Sequence, residues 1–368
     1  MVLATHVRRH HSSLEGVIVP SSQSLNPEER DLATRIFDAI MMQFEPSQST
    51  ESGYYPVTLI RLMKFEISEK DEFLSFFFSF IQQDLLDEDD ERVGLGQVLS
   101  HLAPFPYLPS EQKDALKESL VAFAKYLVVN FFLPLKASAG KTPQTTPALS
   151  RSTTSEVAIG TPKRVSNLRK SCLIRDRYRC VVTRRFDAQE AQNRYKRDGQ
   201  DVKDDDGKSL LSERDTMAYL EVAHIIPHSL KSLTGEGGDR KLAESKHIAH
   251  QVLTMLFGNF EIAFEPVVTQ PHTYKVDYVE SDRMGCVEKL PVTVSLFLTP
   301  DQSVEPPSPQ LLAIHSAIGR ILHLSAAGDY INDYIQDLEE MKGGEVMQNG
   351  STRLEDYVWF RLSDMSVY

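Results

Sequence analysis

The chain has few cysteines, and their spacing excludes two common kinds of small site. Its three cysteines, Cys172, Cys180 and Cys286, form no CxxC pair. A zinc knuckle needs closely spaced cysteine ligands and a disulfide framework needs paired cysteines, so the sequence predicts neither. Sparse cysteines are typical of a reducing compartment. We therefore expect an intracellular protein of the nucleus or cytoplasm, not a secreted one.

Long apolar runs and nucleotide-binding loops are also lacking. The aromatic run Phe73–Ile81 is too short to cross a bilayer, and the stretch Leu120–Leu135 is interrupted by Lys125, Asn130 and Pro134. The first residues do not have the apolar stretch of a signal peptide. We therefore expect no membrane role. No Walker, GxGxxG or GxSxG motif is present, which argues against P-loop, dinucleotide-binding and α/β-hydrolase chemistry.

An overall positive charge is absent too, although one region is strongly basic. The formal net charge of −12 argues against a whole surface that binds nucleic acid. The segment from Lys163 to Asp187, however, contains nine Lys or Arg residues and only two acidic residues. We predict nucleic-acid contact by these members of the run: Arg169, Lys170, Arg175, Arg177, Arg179, Arg184 and Arg185. The alternative is a solvated helix face followed by a polar hairpin.

Composition divides the chain into four segments. Residues 1–135 show helical periodicity, beginning at Asn26-Pro27-Glu28-Glu29, which is typical of a capped helix start. We predict an all-α domain there; it carries no recognisable chemistry and offers a surface for a protein partner. Residues 136–163 are rich in Ser, Thr, Pro and Ala, and are expected to be a disordered linker. A second domain is predicted over 164–345, with a tail at 346–368.

The most informative motif is Ala223–His228, which places His224 at the end of an apolar strand. The β-prone run Cys180–Asp187 is predicted to pair with this strand in a ββα hairpin. Between them, Asp187–Arg214 is predicted to be an insertion, with an exposed acidic turn at Asp204-Asp205-Asp206-Gly207. Histidine has a pKa of about 6.5 and is largely neutral at pH 7, so His224 is a candidate general base. The alternative is a hydrogen-bonded structural histidine.

Several segments in the same order carry a family resemblance: Leu168–Asp176, Tyr178–Thr183, Ala223–Leu230, Phe257–Pro266 and Pro306–Gly328. They resemble the fungal HNH endonuclease-like family over roughly residues 164–340. The resemblance implies an α+β fold with a ββα-metal module and metal-dependent hydrolysis of DNA. It also implies a divalent ion, Mg²⁺ or Mn²⁺, if the protein is active, with His224 as the base.

The chain departs from the HNH pattern at two places. Ala223 stands where many HNH proteins carry an Asp or His ligand. After a helix predicted over Lys246–Leu256, the chain enters Phe257-Gly258-Asn259-Phe260 directly, without the segment that bears the Asn and second His of the motif. The remaining weak candidates for metal ligands are His228, His247 and His250. Two hypotheses follow: an endonuclease with impaired activity, or an inactive nuclease-derived module that binds nucleic acid or a protein partner.

Overall fold

The computed structural model describes residues 25–50, 52–85, 94–139, 162–225, 246–280, 290–297 and 306–342. The fold is α+β, with helices and small antiparallel sheets, as predicted. The chain divides into two compact units. Unit 1 comprises Met1–Ala137 and Ile321–Tyr368, and unit 2 comprises Ser138–Arg320.

The regular secondary structure among the described residues of unit 1 is helical. Its helices from the N-terminal part of the chain are α1 (Pro27–Phe44), α2 (Pro56–Glu66), α3 (Lys70–Leu85), α4 (Leu95–Leu102), α5 (Ser110–Leu127) and α6 (Leu133–Ala139). A π-helical segment, Val128–Phe132, connects α5 to α6. The helical run Ser110–Ala137 is long and apolar enough to cross a membrane by length and composition, but half of its most apolar window is buried in the protein.

The start of α1 confirms the cap that the sequence predicts. The Asn26 side chain accepts hydrogen bonds from the backbone N–H groups of Glu28 and Glu29. The Glu29 carboxylate in turn accepts from the backbone N–H of Asn26. These bonds satisfy donors that the first helical turn would leave without partners.

Phenylalanines spaced along α3 build the core of unit 1. Phe77 lies in edge contact with Phe37 of α1 and Phe123 of α5, with ring centroids 5.0 and 5.4 Å apart. Phe73, one turn earlier, packs against the same two rings. All four rings are buried, so the apolar periodicity read from the sequence becomes the contact surface among three helices.

The described C-terminal residues 321–342 belong to unit 1, although the sequence analysis assigned them to the second domain. Helix α11 (Ala327–Lys342) is attached by Tyr330, whose ring lies 5.0 Å from that of Tyr54. Lys136 donates to the carbonyl oxygen of Gly328 and to Asn332 Oδ1, and its burial lowers its pKa to about 8. Lys136 therefore lies in a helix rather than in the predicted linker. Residues 140–161 of that linker and the predicted tail, 346–368, lie outside the described residues.

The described residues of unit 2 form helices and five short strands. Its helices are α7 (Pro162–Arg175), α8 (Ala188–Asp198), α9 (Gln251–Gly258) and the part of α10 (Pro309–Leu324) up to Arg320, and its strands are β1 (Leu220–His224), β2 (Lys246–His250), β3 (Ile262–Pro266), β4 (Thr273–Tyr278) and β5 (Thr293–Ser295). Strands β1 and β2 form one antiparallel pair, and β3, β4 and β5 form a second antiparallel sheet. Both sheets share a core that includes Leu253 and Phe257 of α9.

The turn that follows α9 is fixed against α10 by stacking. His315 is buried between two rings, with centroid distances of 3.7 Å to Phe257 and 4.6 Å to Phe260. Its Nε2 lies 2.8 Å from the carbonyl oxygen of Phe257. One turn later on α10, Gly319 faces the carbonyl oxygen of Phe260, which would lie 2.9 Å from an added Cβ. The segment Phe257–Phe260 thus packs directly against α10.

Replacing Gly319 with Ala tests this close approach. Helix propensity alone would make the substitution stabilising by about 1 kcal/mol. We expect a loss of about 1–3 kcal/mol instead, because the new methyl group meets backbone atoms of Phe260 and cannot be relieved by a side-chain rotation. Urea unfolding of the Gly319→Ala protein measures whether the free energy of unfolding falls or rises. The converse substitution at exposed Ala313, Ala313→Gly, calibrates the propensity effect on the same helix; a stabilised Gly319→Ala protein would contradict the steric account.

Candidate functional site

Strands β1 and β2 and helix α9 form a ββα arrangement that has His224 at the end of its first strand. In the antiparallel register His224 is opposite Lys246, Ala223 is opposite His247 and Leu220 is opposite His250. The His224 side chain is half-buried. Ala223 and Leu220 are buried in the core, which anchors the strand. The strand thus holds one imidazole at its end.

The predicted pairing of Cys180–Asp187 with this strand is wrong. That run closes into a tight turn, in which Cys180 N–H donates to the Arg185 carbonyl and Arg184 N–H donates to the Cys180 carbonyl. Arg184 has a φ of +61°, which ends any extended conformation. The β-prone Val181 and Val182 are buried in the core through this turn instead of in a ladder. The strand partner is residues 246–250, which the sequence analysis placed in a helix.

Helix α9 contains no His, Cys, Asp or Glu. Its residues are Gln251-Val252-Leu253-Thr254-Met255-Leu256-Phe257-Gly258, and the buried ones among them pack into the core. Across the part of the chain that the structure describes, no group of three His, Cys, Asp or Glu side chains is placed to hold a metal ion. His228 lies outside the described residues, and His247 and His250 are described only as positions of β2. Among the described residues, His224 is therefore not part of such a group.

The basic residues predicted to contact nucleic acid have different environments. Arg175 and the neighbouring Asp176 form a buried pair, with Nε–Oδ1 and Nη2–Oδ2 distances of 2.8 and 2.9 Å. The exposed fraction of the Arg175 side chain is 0%, so a phosphate could reach it only if this pair opened. Arg169 donates to the carbonyl oxygen of Leu220, which links α7 to β1. Lys170 is exposed, and Arg185 is half-buried.

Arg179 is held by two carboxylates from the inserted segment between the turn and β1. Its Nη2 lies 2.7 Å from Asp204 Oδ2, and its Nη1 lies 2.8 Å from Glu213 Oε2. Burial raises the pKa of Asp204, but hydrogen bonds from Arg179 and from the backbone N–H groups of Lys208 and Asp206 lower it by more. The hydrogen bond from Arg179 is the main reason why the pKa of Glu213 is lowered. Arg179 therefore has a structural role.

The acidic turn Asp204-Asp205-Asp206 contacts three arginines, one for each aspartate. Besides the Asp204–Arg179 pair, Asp205 Oδ1 lies 2.7 Å from Arg194 Nη2, and Asp206 Oδ1 lies 2.6 Å from Arg177 Nη1. Gly207, with a φ of +79°, lets the chain reverse at this point. Ala191, Val202 and Leu210 of the insertion form a small core together with Phe186 of the preceding turn. The turn is thus an ordered element, and two of its aspartates form ion pairs with arginines of the basic run.

Sequence reasoning missed these partners. It treated the basic run as a surface for nucleic acid and the acidic turn as a separate exposed feature, although three consecutive aspartates following a run of arginines are a signal of charge complementarity. The Phe297 ring lies against the guanidinium groups of Arg177 and Arg184. The sequence carried no signal of this contact, because the two arginines are distant from Phe297 in the chain.

No protein-family model matches the chain, and no curated protein or solved structure matches it either. The site therefore has to be interpreted from its own residues.

Proposed function

We propose that unit 2 is an HNH-type ββα module that contacts DNA and in which metal-dependent hydrolysis of phosphodiester bonds is strongly impaired. One observation carries this proposal: His224 lies at the end of the first strand of a ββα arrangement whose helix, α9, contains no His, Cys, Asp or Glu. The resemblance of the flanking motifs to HNH endonuclease-like proteins supports the nuclease origin.

The chemistry explains why one histidine is insufficient. Hydrolysis of a phosphodiester requires a base that takes a proton from water and a cation that neutralises charge on the phosphate and the leaving oxygen. His224 is a group suited to the first task. The divalent ion would supply the second, and the described residues do not provide the hard ligands that Mg²⁺ needs. We therefore assign no cleavage step to this arrangement beyond the proton transfer that His224 could perform.

Plasmid nicking measures whether hydrolysis is impaired. In an active enzyme, removal of a general base lowers the rate by about 10²–10⁴-fold. With Mg²⁺ or Mn²⁺ present, we expect the protein and its His224→Ala variant to nick supercoiled plasmid at rates that differ by less than about tenfold, because the base has no properly held cation to work with. The rate is measured by the conversion of supercoiled to open-circular DNA.

The control variant is His272→Ala, which changes a half-buried histidine in the turn before β4. Rapid metal-dependent nicking that His224→Ala abolishes and His272→Ala retains would overturn the impaired-nuclease proposal. It would also indicate that residues outside the described ranges supply ligands.

A further inference from the structure

Two arginines lie against one aromatic ring beside the small sheet of unit 2. The guanidinium carbons of Arg177 and Arg184 are 4.8 and 4.3 Å from the centroid of the Phe297 ring. Arg184 also donates from Nη2 to the carbonyl oxygen of Ser295 in β5. Stacking on an aromatic face holds a guanidinium plane in a fixed orientation. The two cations, Phe297 and Ser295 therefore form a preorganised basic surface, which we call the Phe297 platform.

The Phe297 platform has donor capacity that the described residues do not use. Nη1 of Arg184 is buried and has no hydrogen-bond acceptor among the residues that the structure describes, although Nη2 does have one. Arginine carries five N–H donors in a planar fork that matches the oxygens of a phosphate. Arg177, the second cation at the ring, pairs with an acid.

That acid is Asp206, at the tip of the inserted turn. The Arg177–Asp206 pair is the most exposed of the three pairs that the turn makes, with side-chain exposures of 34% and 61%. Exposed ion pairs are weak because water and salt screen them. The Arg179–Asp204 pair is nearly buried, and Asp204 also accepts from two backbone N–H groups. The turn is therefore anchored at Asp204, whereas its contact with Arg177 can be exchanged.

We propose that the Phe297 platform contacts the phosphate backbone of nucleic acid and that Asp206 occupies Arg177 until a phosphate displaces it. The carboxylate is an intramolecular competitor of the same charge sign and similar oxygen geometry. It reduces the affinity of the Phe297 platform for polyanions in general. The choice of nucleic acid as the polyanion rests on the proposed function, but the competition between Asp206 and an incoming phosphate does not.

Binding of a labelled 20-base-pair DNA duplex in EDTA tests this inference without any contribution from metal or cleavage. Asp206→Asn removes the negative charge and leaves the shape of the side chain. We expect this variant to bind the duplex about 2–5-fold more tightly at low salt, which corresponds to the release of one exposed ion pair. The plot of log affinity against log salt should steepen by about 0.9, the value for one added phosphate contact. Fluorescence anisotropy measures both quantities.

The matched control is Asp201→Asn, which removes the same charge from an exposed acid of the same insertion that is paired with Lys203. Equal affinities of the two variants would overturn the competition, since only the net charge would then matter. The double variant Arg177→Ala/Asp206→Asn should lose the gain. If neither variant binds the duplex, DNA is not the partner, and the inference fails independently of the nicking result. If Asp206→Asn tightens binding while plasmid remains intact, both proposals are supported.

Discussion

Replacing Arg175 with Met is expected to destabilise unit 2 by about 3–5 kcal/mol, which is the usual cost of breaking a buried ion pair from one side. The Asp176 side chain is 1% exposed and would lose both of its guanidinium hydrogen bonds. Methionine fills much of the same volume, so the loss reports charge rather than a cavity. Urea unfolding followed by circular dichroism measures the change.

Two further variants separate this effect from a general effect of removing an arginine. Arg197 and Asp198 form a pair with the same spacing along the chain and similar distances, 2.8 and 2.7 Å, but on the surface. Arg197→Met should cause no measurable loss, because that pair is solvated. Adding Asp176→Asn to Arg175→Met should recover part of the stability by removing the buried negative charge. Equal losses from Arg175→Met and Arg197→Met would show that burial of the pair is unimportant.

Acidification is expected to destabilise unit 2 before the carboxylates titrate, and the responsible group is His315. Burial lowers the pKa of His315 from 6.5 to about 4, against the opposing effect of its hydrogen bond to Phe257. The unfolded chain therefore binds a proton that the folded chain excludes. Stability is complete above pH 6.5 and is lost as the pH falls from 6.5 towards 4. The total loss is about 3 kcal/mol, since each pKa unit corresponds to about 1.4 kcal/mol.

The difference between the protein and its His315→Gln variant isolates this contribution. Glutamine retains a donor for the Phe257 carbonyl oxygen but does not titrate. Between pH 7 and pH 4.5, the free energy of unfolding should fall more steeply for the parent than for His315→Gln. The exposed histidine of the same helix provides the control, and His323→Gln should follow the parent curve. Parallel curves for the parent and His315→Gln would exclude His315 as the acid-sensitive group.

Local features of the fold could be predicted from the sequence, and long-range ones could not. The Asn26 cap and the helices of residues 26–133 follow from side-chain chemistry within one or two turns, and the structure confirms them. Two short runs, Cys180–Asp187 and Lys246–His250, compete as the strand partner of β1. Neither has enough alternation of apolar and polar residues for the sequence to decide between them. Cys180–Asp187 reads as a strand, but Arg184 takes a left-handed conformation and its valines are buried through a turn.

The candidate site shows the same limit. His224 at a strand end could be predicted because the position depends on a short apolar run, which β1 confirms. The environments of the arginines could not be predicted, because their ion-pair partners are distant in the chain. Arg177 and Asp206, for example, are separated by 29 positions. Charge composition identifies the members of such a network but not their pairing.

The return of α11 to unit 1 affects how the chain can fold during synthesis. Lys136 and its acceptor Asn332 are 196 residues apart. At about 5–20 residues per second, the ribosome needs roughly 10–40 s to cover that distance. Throughout this time, the first helices have neither Tyr330 against Tyr54 nor the carbonyl of Gly328 for Lys136. Unit 1 therefore begins to fold first, but its folding is completed only after all residues of unit 2 have been synthesised.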